Sequence, residues 1–245
     1  MTPTAVDPLE RLQGANTANA KPSFTVDLVI FTVREDHLQV LLVQRAESPF
    51  QGRWALPGGF LDPAQDTSVD ACAARKLVEE TGARAPYLEQ LKTYGSRDRD
   101  PRDWTATTVY FALMSSTAIT LQSHQAEARW MRVRGTAVDV ILSFDHAAIL
   151  ADAVERLRSK LEYTHIAVHL LPEAFTLPEL QRTYEIILQQ ALDKSSFRRR
   201  VVQADMLEAL SGQHRDGCGR PAQLYRFREY DRRTFFPRSI SRYAR

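Results

Sequence analysis

Cysteine is almost missing from this 245-residue chain, in which Cys72 and Cys218 are the two thiols. That excludes a disulfide framework and a Cys-rich zinc site. Long apolar runs are missing too. Runs such as residues 28–31 and 40–43 fall far short of the roughly 18 residues that a membrane-spanning helix requires, so no membrane partner is expected. The first 22 residues are polar and lack the apolar centre of a signal peptide, and the sequence reads as cytoplasmic. A net charge of one sign is also lacking: 32 Lys and Arg face 30 Asp and Glu, a formal +2. This near-balance averages two unlike halves. Residues 1–150 hold 15 basic and 18 acidic side chains, a balance of −3, while residues 151–245 hold 17 and 12, a balance of +5. From Lys194 onward the balance is +8. Such asymmetry points to two jobs on one chain.

The pattern of apolar residues divides the chain further. Residues 1–22, with Pro3, Pro8, Gly14 and Pro22 and no apolar periodicity, read as a flexible tail. Residues 24–33 and 38–44 are Val-, Leu-, Ile- and Phe-rich strands around a polar turn at 34–37. Residues 54–60 read as a short strand running into Pro57-Gly58-Gly59. A helix follows, opened by Thr67 with Asp70 three residues on and closed by Gly82. Strands are expected at 105–114 and 128–133, with polar loops between. Over 145–161, Ile149, Ala153, Leu157 and Leu161 share one helical face, and this helix reads as a linker. Two further helices are expected, at 176–189 with Thr176 as N-cap and Pro178 in the first turn, and at 195–210 with Ser195 or Ser196 as cap. A polar turn at 212–219 and a strand at 222–228 complete the pattern. The expected division is a tail at 1–22, a first domain at 23–144, a linker helix at 145–162, a second domain at 163–230 and a basic tail at 231–245.

The front half carries one dense chemical segment, Gly58-Gly59-Phe60 followed by Arg75-Lys76-Leu77-Val78-Glu79-Glu80-Thr81-Gly82. Carboxylates on one helical face can hold Mg²⁺ or Mn²⁺ through oxygen, and such a metal can bridge pyrophosphate oxygens and activate water. Arg75 lies four residues before Glu79, so its guanidinium can orient that carboxylate. Arg53 and Trp54 precede the Gly-Gly turn, and Arg97, Arg99 and Arg102 precede Trp104. Guanidinium groups fork onto phosphates and aromatic rings stack on bases. The loop arginines alternate with Asp98, Asp100 and Asp103, which can neutralise them.

These residues resemble the Nudix box, written Gly, five residues, Glu, seven residues, then Arg-Glu-U-x-Glu-Glu-x-Gly-U with U aliphatic. Three departures stand out. Gln65 or Asp66 falls where the first Glu belongs, two extra residues separate Gly59 from Arg75, and Lys76 replaces the Glu after the Arg. Lys76, Glu79 and Glu80 together carry −1 where three carboxylates would carry −3, and the ammonium can pair with either glutamate. The expectation is a vestigial site, with Arg75, Glu79 and Glu80 remaining and Mg²⁺ or Mn²⁺ bound weakly by Glu79 and Glu80. It binds a nucleoside diphosphate, with Arg53, Trp54, Gly58, Gly59, Phe60, Arg97 and Arg99 as ligand residues, and turns it over slowly or not at all.

The back half carries Ser195-Ser196-Phe197-Arg198-Arg199-Arg200-Val201. Successive helix residues turn by about 100°, so three arginines fan across one side and can reach phosphates and base edges. Ser196, Arg198, Arg199 and Arg200 are the expected DNA contacts of a recognition helix, with Phe197, Val201 and Leu207 packed inward. Arg215 and Arg220 flank the expected wing tip.

Taken together, Arg75-Lys76-Leu77, Phe175-Thr176-Leu177-Pro178-Glu179-Leu180-Gln181, the arginine triplet and Gly219-Arg220-Pro221-Ala222-Gln223-Leu224-Tyr225 resemble the NrtR-type Nudix-related transcriptional regulators of NAD metabolism over residues 24–227. The resemblance implies an α/β fold, a Nudix α/β/α sandwich with a mixed sheet, followed by a winged helix-turn-helix. It also implies a homodimeric repressor of NAD biosynthesis or salvage genes on a palindromic double-stranded DNA operator, released by ADP-ribose or a related NAD derivative. Two rival readings remain at this point: a working Nudix ADP-ribose pyrophosphatase whose second half only dimerises, and a related regulator that senses a sugar. Lys76 and the arginine triplet count against the enzyme, while the retained Glu79 and Glu80 leave residual hydrolysis open.

Overall fold

The computed structural model describes residues 22–119, 127–215 and 221–228. Of the expected tail at 1–22 all but Pro22, the whole expected basic tail at 231–245, and Cys218 and Arg220 lie outside the described residues. Strand β1 (Ser23–Arg34) is buried without a break from Thr25 to Thr32, as a strand covered on both faces must be. Glu35 and Asp36, both at positive φ, turn it into β2 (His37–Gln44). The chain continues through β3 (Trp54–Ala55), β4 (Gly58–Phe60), α1 (Val69–Thr81), β5 (Tyr87–Ser96), β6 (Thr105–Leu113) and β7 (Ala128–Arg132). These strands form one sheet in the order β3-β2-β1-β6-β5, with β4 added to β1 and β7 to β2. Among the described strands β1 and β6 pair parallel and the other strand pairs antiparallel, so the sheet is mixed.

Each face has its own cover. Val26, Leu28, Ile30, Tyr110 and Ala112 pack with Cys72, Ala73 and Leu77 of α1. Val29, Phe31, Val40, Phe111 and Leu113 pack against α2 (His146–Leu161), through Ile149, Ala153, Val154 and Leu157. This is the expected α/β/α sandwich. Because α2 alternates its buried positions at three- and four-residue steps, the same stripe continues to Leu161 and meets the second half. There, β8 (Phe175–Thr176), α3 (Leu177–Leu188), α4 (Lys194–Gln203), β9 (Leu207–Arg215) and β10 (Ala222–Phe227) form two helices and a three-stranded sheet, β8-β10-β9. Thr176 and Glu179 close a reciprocal capping box on α3. Tyr184 packs edge-on against Phe197, centroids 5.3 Å apart, and its hydroxyl donates to the Thr164 carbonyl at 3.0 Å. The apolar cluster runs unbroken from Val29 to Met206.

Several sequence expectations shift. Helix α1 is capped by Ser68, not Thr67: the Ser68 hydroxyl accepts the Ala71 N–H at 3.0 Å. Residues 54–60 form two strands, not one, since Pro57 separates β3, which pairs with β2, from β4, which pairs with β1. The strand β5 was not expected. It lies at the sheet edge, mostly exposed and broken by a register shift between Gln90 and Lys92, which blurs its alternation. The helix expected at 195–210 spans only Lys194–Gln203 and is capped by Asp193, whose carboxylate accepts the Ser196 N–H at 2.9 Å. Asp205, at φ 49°, then breaks the helical path. Leu207 therefore packs inward from a strand, and Gly212, at φ 72°, lies within β9 rather than in a turn.

Candidate functional site

The β1–β4 pairing needs glycine at position 58. A Cβ there would lie 2.4 Å from the Val26 carbonyl oxygen and 2.5 Å from Asp27 Oδ1, far inside contact distance. Gly59 in turn lets the end of Lys76 approach, with Nζ 3.3 Å from where its Cβ would be. Behind this turn, α1 presents its charged face. The Arg75 guanidinium forks onto Asp66, Nε to Oδ1 at 2.7 Å and Nη2 to Oδ2 at 2.6 Å, while Nη1 reaches Glu79 Oε1 at 2.7 Å. Of the two candidates for the first acid of the box, geometry thus favours Asp66: Gln65 turns its amide to Asp62 instead. The Arg75 hydrogen bonds hold the Asp66 carboxyl well below the usual carboxylate range.

Lys76 Nζ donates to Glu79 Oε2 at 3.1 Å, so both oxygens of Glu79 are engaged by cations. Burial favours its protonated form, but the Arg75 and Lys76 bonds outweigh that and keep the carboxyl below its ordinary value. Arg75 and Lys76 thus compete with Mg²⁺ or Mn²⁺ for the same two oxygens. Among the described residues no group of three or more His, Cys, Asp or Glu is placed to hold a metal. With Lys76 in the place of a third carboxylate, the face keeps Glu79 and Glu80 as the acids available to a divalent ion.

A cavity of about 720 Å³ opens between this face and the sheet. Of the expected site residues, Gly58, Gly59, Phe60, Arg75, Glu80 and Arg99 line it, together with Lys76. Arg53, Trp54, Arg97 and Glu79 do not line it: Arg53 and Arg97 are exposed and Trp54 is half-buried in β3. Arg99 is buried, bonded by Nε and Nη2 to Asp145 at 3.0 Å and paired with Asp27 at 3.3 Å. Arg102 forks onto Asp100 at 3.0 and 2.7 Å. Of the loop arginines, Arg102 is thus neutralised by Asp100 within the loop, and Arg99 by Asp27 and Asp145 from distant segments.

Lining residues that sequence reasoning missed include Asp27, Arg45, Phe144 and His146. Asp27 could have been found, as a lone acid inside an apolar strand. His146 is buried, and its Nδ1 accepts the Leu56 N–H at 2.8 Å; burial pushes its pKa below the ordinary value.

In the second half, Phe197 and Val201 anchor α4, and Arg198 and Arg199 stand exposed on its outer side. Arg200 is half-buried, as is Ser196, whose N–H belongs to the Asp193 cap. Arg215 is drawn to the start of α3, where it pairs with Glu179 and donates to the Ala174 carbonyl at 3.1 Å. No helix among the described residues is long and apolar enough to cross a membrane.

Comparison with known proteins agrees with this two-part architecture. Residues 23–152 match the NUDIX domain family, and residues 167–227 match the NrtR DNA-binding winged helix domain. The chain is 44% identical over 220 residues to the ADPR responsive transcriptional repressor NtrR of Acinetobacter baylyi, covering 89% of this chain and 87% of that one. The Shewanella oneidensis NrtR crystal structure complexed with a 27mer DNA superposes with a TM-score of 0.83 at 41% identity, over 89% of this chain and 99% of that one. The NUDIX domain of the same protein, complexed with ADP ribose, matches at a TM-score of 0.52 and 40% identity, over 62% of this chain and 99% of that one. With a Nudix sandwich and a winged helix joined as they are in these relatives, the chain belongs to the NrtR family.

Proposed function

We propose that the protein is a transcriptional repressor of NAD biosynthesis or salvage genes that ADP-ribose, or a related NAD derivative, releases from DNA. The observation that carries this reading is the pairing of a capped helix bearing Arg198, Arg199 and Arg200 with a nucleotide-sized cavity beside a cation-saturated Nudix helix. The relatives support it, since one is named for its ADP-ribose response and another was crystallised on DNA. The protein acts in the cytoplasm as a homodimer, two recognition helices about 34–36 Å apart matching one turn of a palindromic operator. Helix α4 enters the major groove, and phosphate contacts come from its arginines and from Arg215 and Arg220 of the wing. ADP-ribose binds the operator-free arrangement better and shifts the dimer toward it.

Hydrolysis is slow or absent in this reading, and Glu79 and Glu80 bind Mg²⁺ or Mn²⁺ at most weakly. The test is a gel shift on the protein's own upstream DNA, with and without ADP-ribose, with AMP followed in the same tube. Release of the DNA without stoichiometric AMP is expected; rapid AMP formation with no effect on the shift would favour a pyrophosphatase. Replacing Arg199 and Arg200 by Ala should abolish the shift and leave ADP-ribose binding intact by calorimetry.

A further inference from the structure

The N-caps of the α-helices among the described residues are not used alike. Ser68, Thr176 and Asp193 each turn a side-chain oxygen to an N–H in the first turn of the helix they open, at 3.0, 3.3 and 2.9 Å. Asp145 opens α2 and makes no such bond. Its carboxylate goes to Arg99 instead, accepting from Nε and Nη2 at 3.0 Å each. The backbone leading into it is strained. Phe144, at φ 55°, holds a left-handed conformation that is costly for a bulky side chain and persists where the surroundings enforce it.

Arg99 joins this cap to the cavity. It lines the cavity with Asp27 and His146, whereas Asp145 is not among the lining residues. Its Nη2 also reaches Asp27 Oδ2 at 3.3 Å, and the same oxygen lies 3.8 Å from His146 Nε2. Burial disfavours the charge on Arg99, but the bonds to Asp145 and the charge of Asp27 outweigh it and hold the guanidinium above its ordinary pKa. The far end of α2 belongs to the second half. Leu157 and Leu161 enter the cluster that holds Tyr184 and Phe197, and Arg158 donates to the Ile187 carbonyl at 2.9 Å. A helix of 16 residues, about 24 Å long, thus runs from a buried ion pair at the cavity to the support of the arginine-bearing helix.

We infer that Asp145 is a positioning residue for the effector response, exchanging Arg99 for the first turn of its own helix when an anionic effector fills the cavity. Negative charge in the cavity competes with Asp145 for the guanidinium that both face. The freed carboxylate then caps the N-terminus of α2, which favours an anion, and the helix re-seats as Phe144 relaxes. Because α2 is one rigid element with two discrete seats, the change reaches Tyr184 and Phe197 beneath α4. The inference rests on the proposed ADP-ribose response and names the residue that carries it from one half to the other.

The test uses the full-length protein, with ADP-ribose affinity read by calorimetry and affinity for its own upstream DNA by gel shift. Asp145→Asn keeps a capping side chain and loses the charge that Arg99 pairs with, so it should favour the effector-bound arrangement. Operator binding should weaken while ADP-ribose binding tightens, the two changes multiplying to about 10-fold, the worth of one charge-assisted pair. Asp145→Ala loses the pair and the cap together, and its balance should lie nearer that of the parent. Affinities that fall together, more in Ala than in Asn, mark a merely structural residue and overturn the inference, as do affinities that do not change. The parent protein gives a reading free of any folding defect: ADP-ribose should slow hydrogen exchange in the first turn of α2, and operator DNA should not. Equal exchange under the two ligands overturns the inference. If ADP-ribose does not release the parent from DNA, the proposed function falls and this inference with it. If the parent is released and Asp145→Asn matches it in both affinities, the inference falls alone.

Discussion

At Glu79 one carboxylate oxygen goes to Arg75 and the other to Lys76. This was readable from spacing alone, because side chains three and four apart on a helix are neighbours. Gly58 and Gly59 were legible for a similar reason: a Gly-Gly turn before a charged helix means that something must approach closely. Arg45, Phe144 and His146 were not legible. They come from two segments about 100 residues apart in sequence, and closure of the sheet brings them to one wall. His146 shows how burial alone gives a residue a role. Its ring is fixed by the Leu56 N–H, so protonating Nδ1 would break that bond. Its folded pKa lies below the ordinary 6.5. As pH falls below 6.5 the unfolded chain therefore takes the proton first, and stability declines on the acid side. His146→Asn keeps an acceptor that does not titrate. Thermal melts from pH 7.5 to 5 should show a shallower acid decline for the variant than for the parent; parallel curves would mean that His146 does not contribute.

Among the elements, α4 and β5 show where pattern reading fails. A helix interior has the same local signature wherever it ends, and the apolar residues of 201–210 continue a helical spacing past the true stop at Gln203. What stops the helix is a tertiary competitor: from Leu207 the backbone pairs with β10. The N-terminus was misplaced by two or three residues because Asp193, Ser195 and Ser196 are all good caps. The choice is settled by which side chain reaches a free N–H, and Asp193 does so at 2.9 Å. Asp193→Ala should cost about 1 kcal/mol of stability by urea denaturation, whereas Ser195→Ala should be near neutral. Equal losses from both would return the cap to the serines. The edge strand β5 left little trace because one exposed face and a bulge hide the two-residue period.

For the whole molecule, the division of charge points to two jobs on one chain, while the core joins the two halves. One apolar cluster joins Phe111 of the sheet, Leu157 and Leu161 of α2, Tyr184 of α3 and Phe197 of α4. Arg158 adds a polar tie, donating to the Ile187 carbonyl at 2.9 Å and the Gly135 carbonyl at 2.8 Å. Calorimetry should accordingly give a single unfolding peak whose van't Hoff enthalpy per cooperative unit agrees with the measured heat. Two resolved peaks would show that the halves melt separately. Surface charge thus divides the chain by task, while buried area unites it for folding.

Helix α2 also sets an order of manufacture. A ribosome delivers the chain from its N-terminus, and domains tend to fold as they emerge. All seven strands of the large sheet have been made once Arg132 is out. One face can then be closed by α1, yet Val29, Phe31, Phe111 and Leu113 on the other still lack Ile149, Ala153 and Leu157. The nascent sheet therefore waits, half covered, until a helix made some twenty residues later arrives. That same helix carries the first contacts on which the winged half will assemble, so completion of one body templates the beginning of the next.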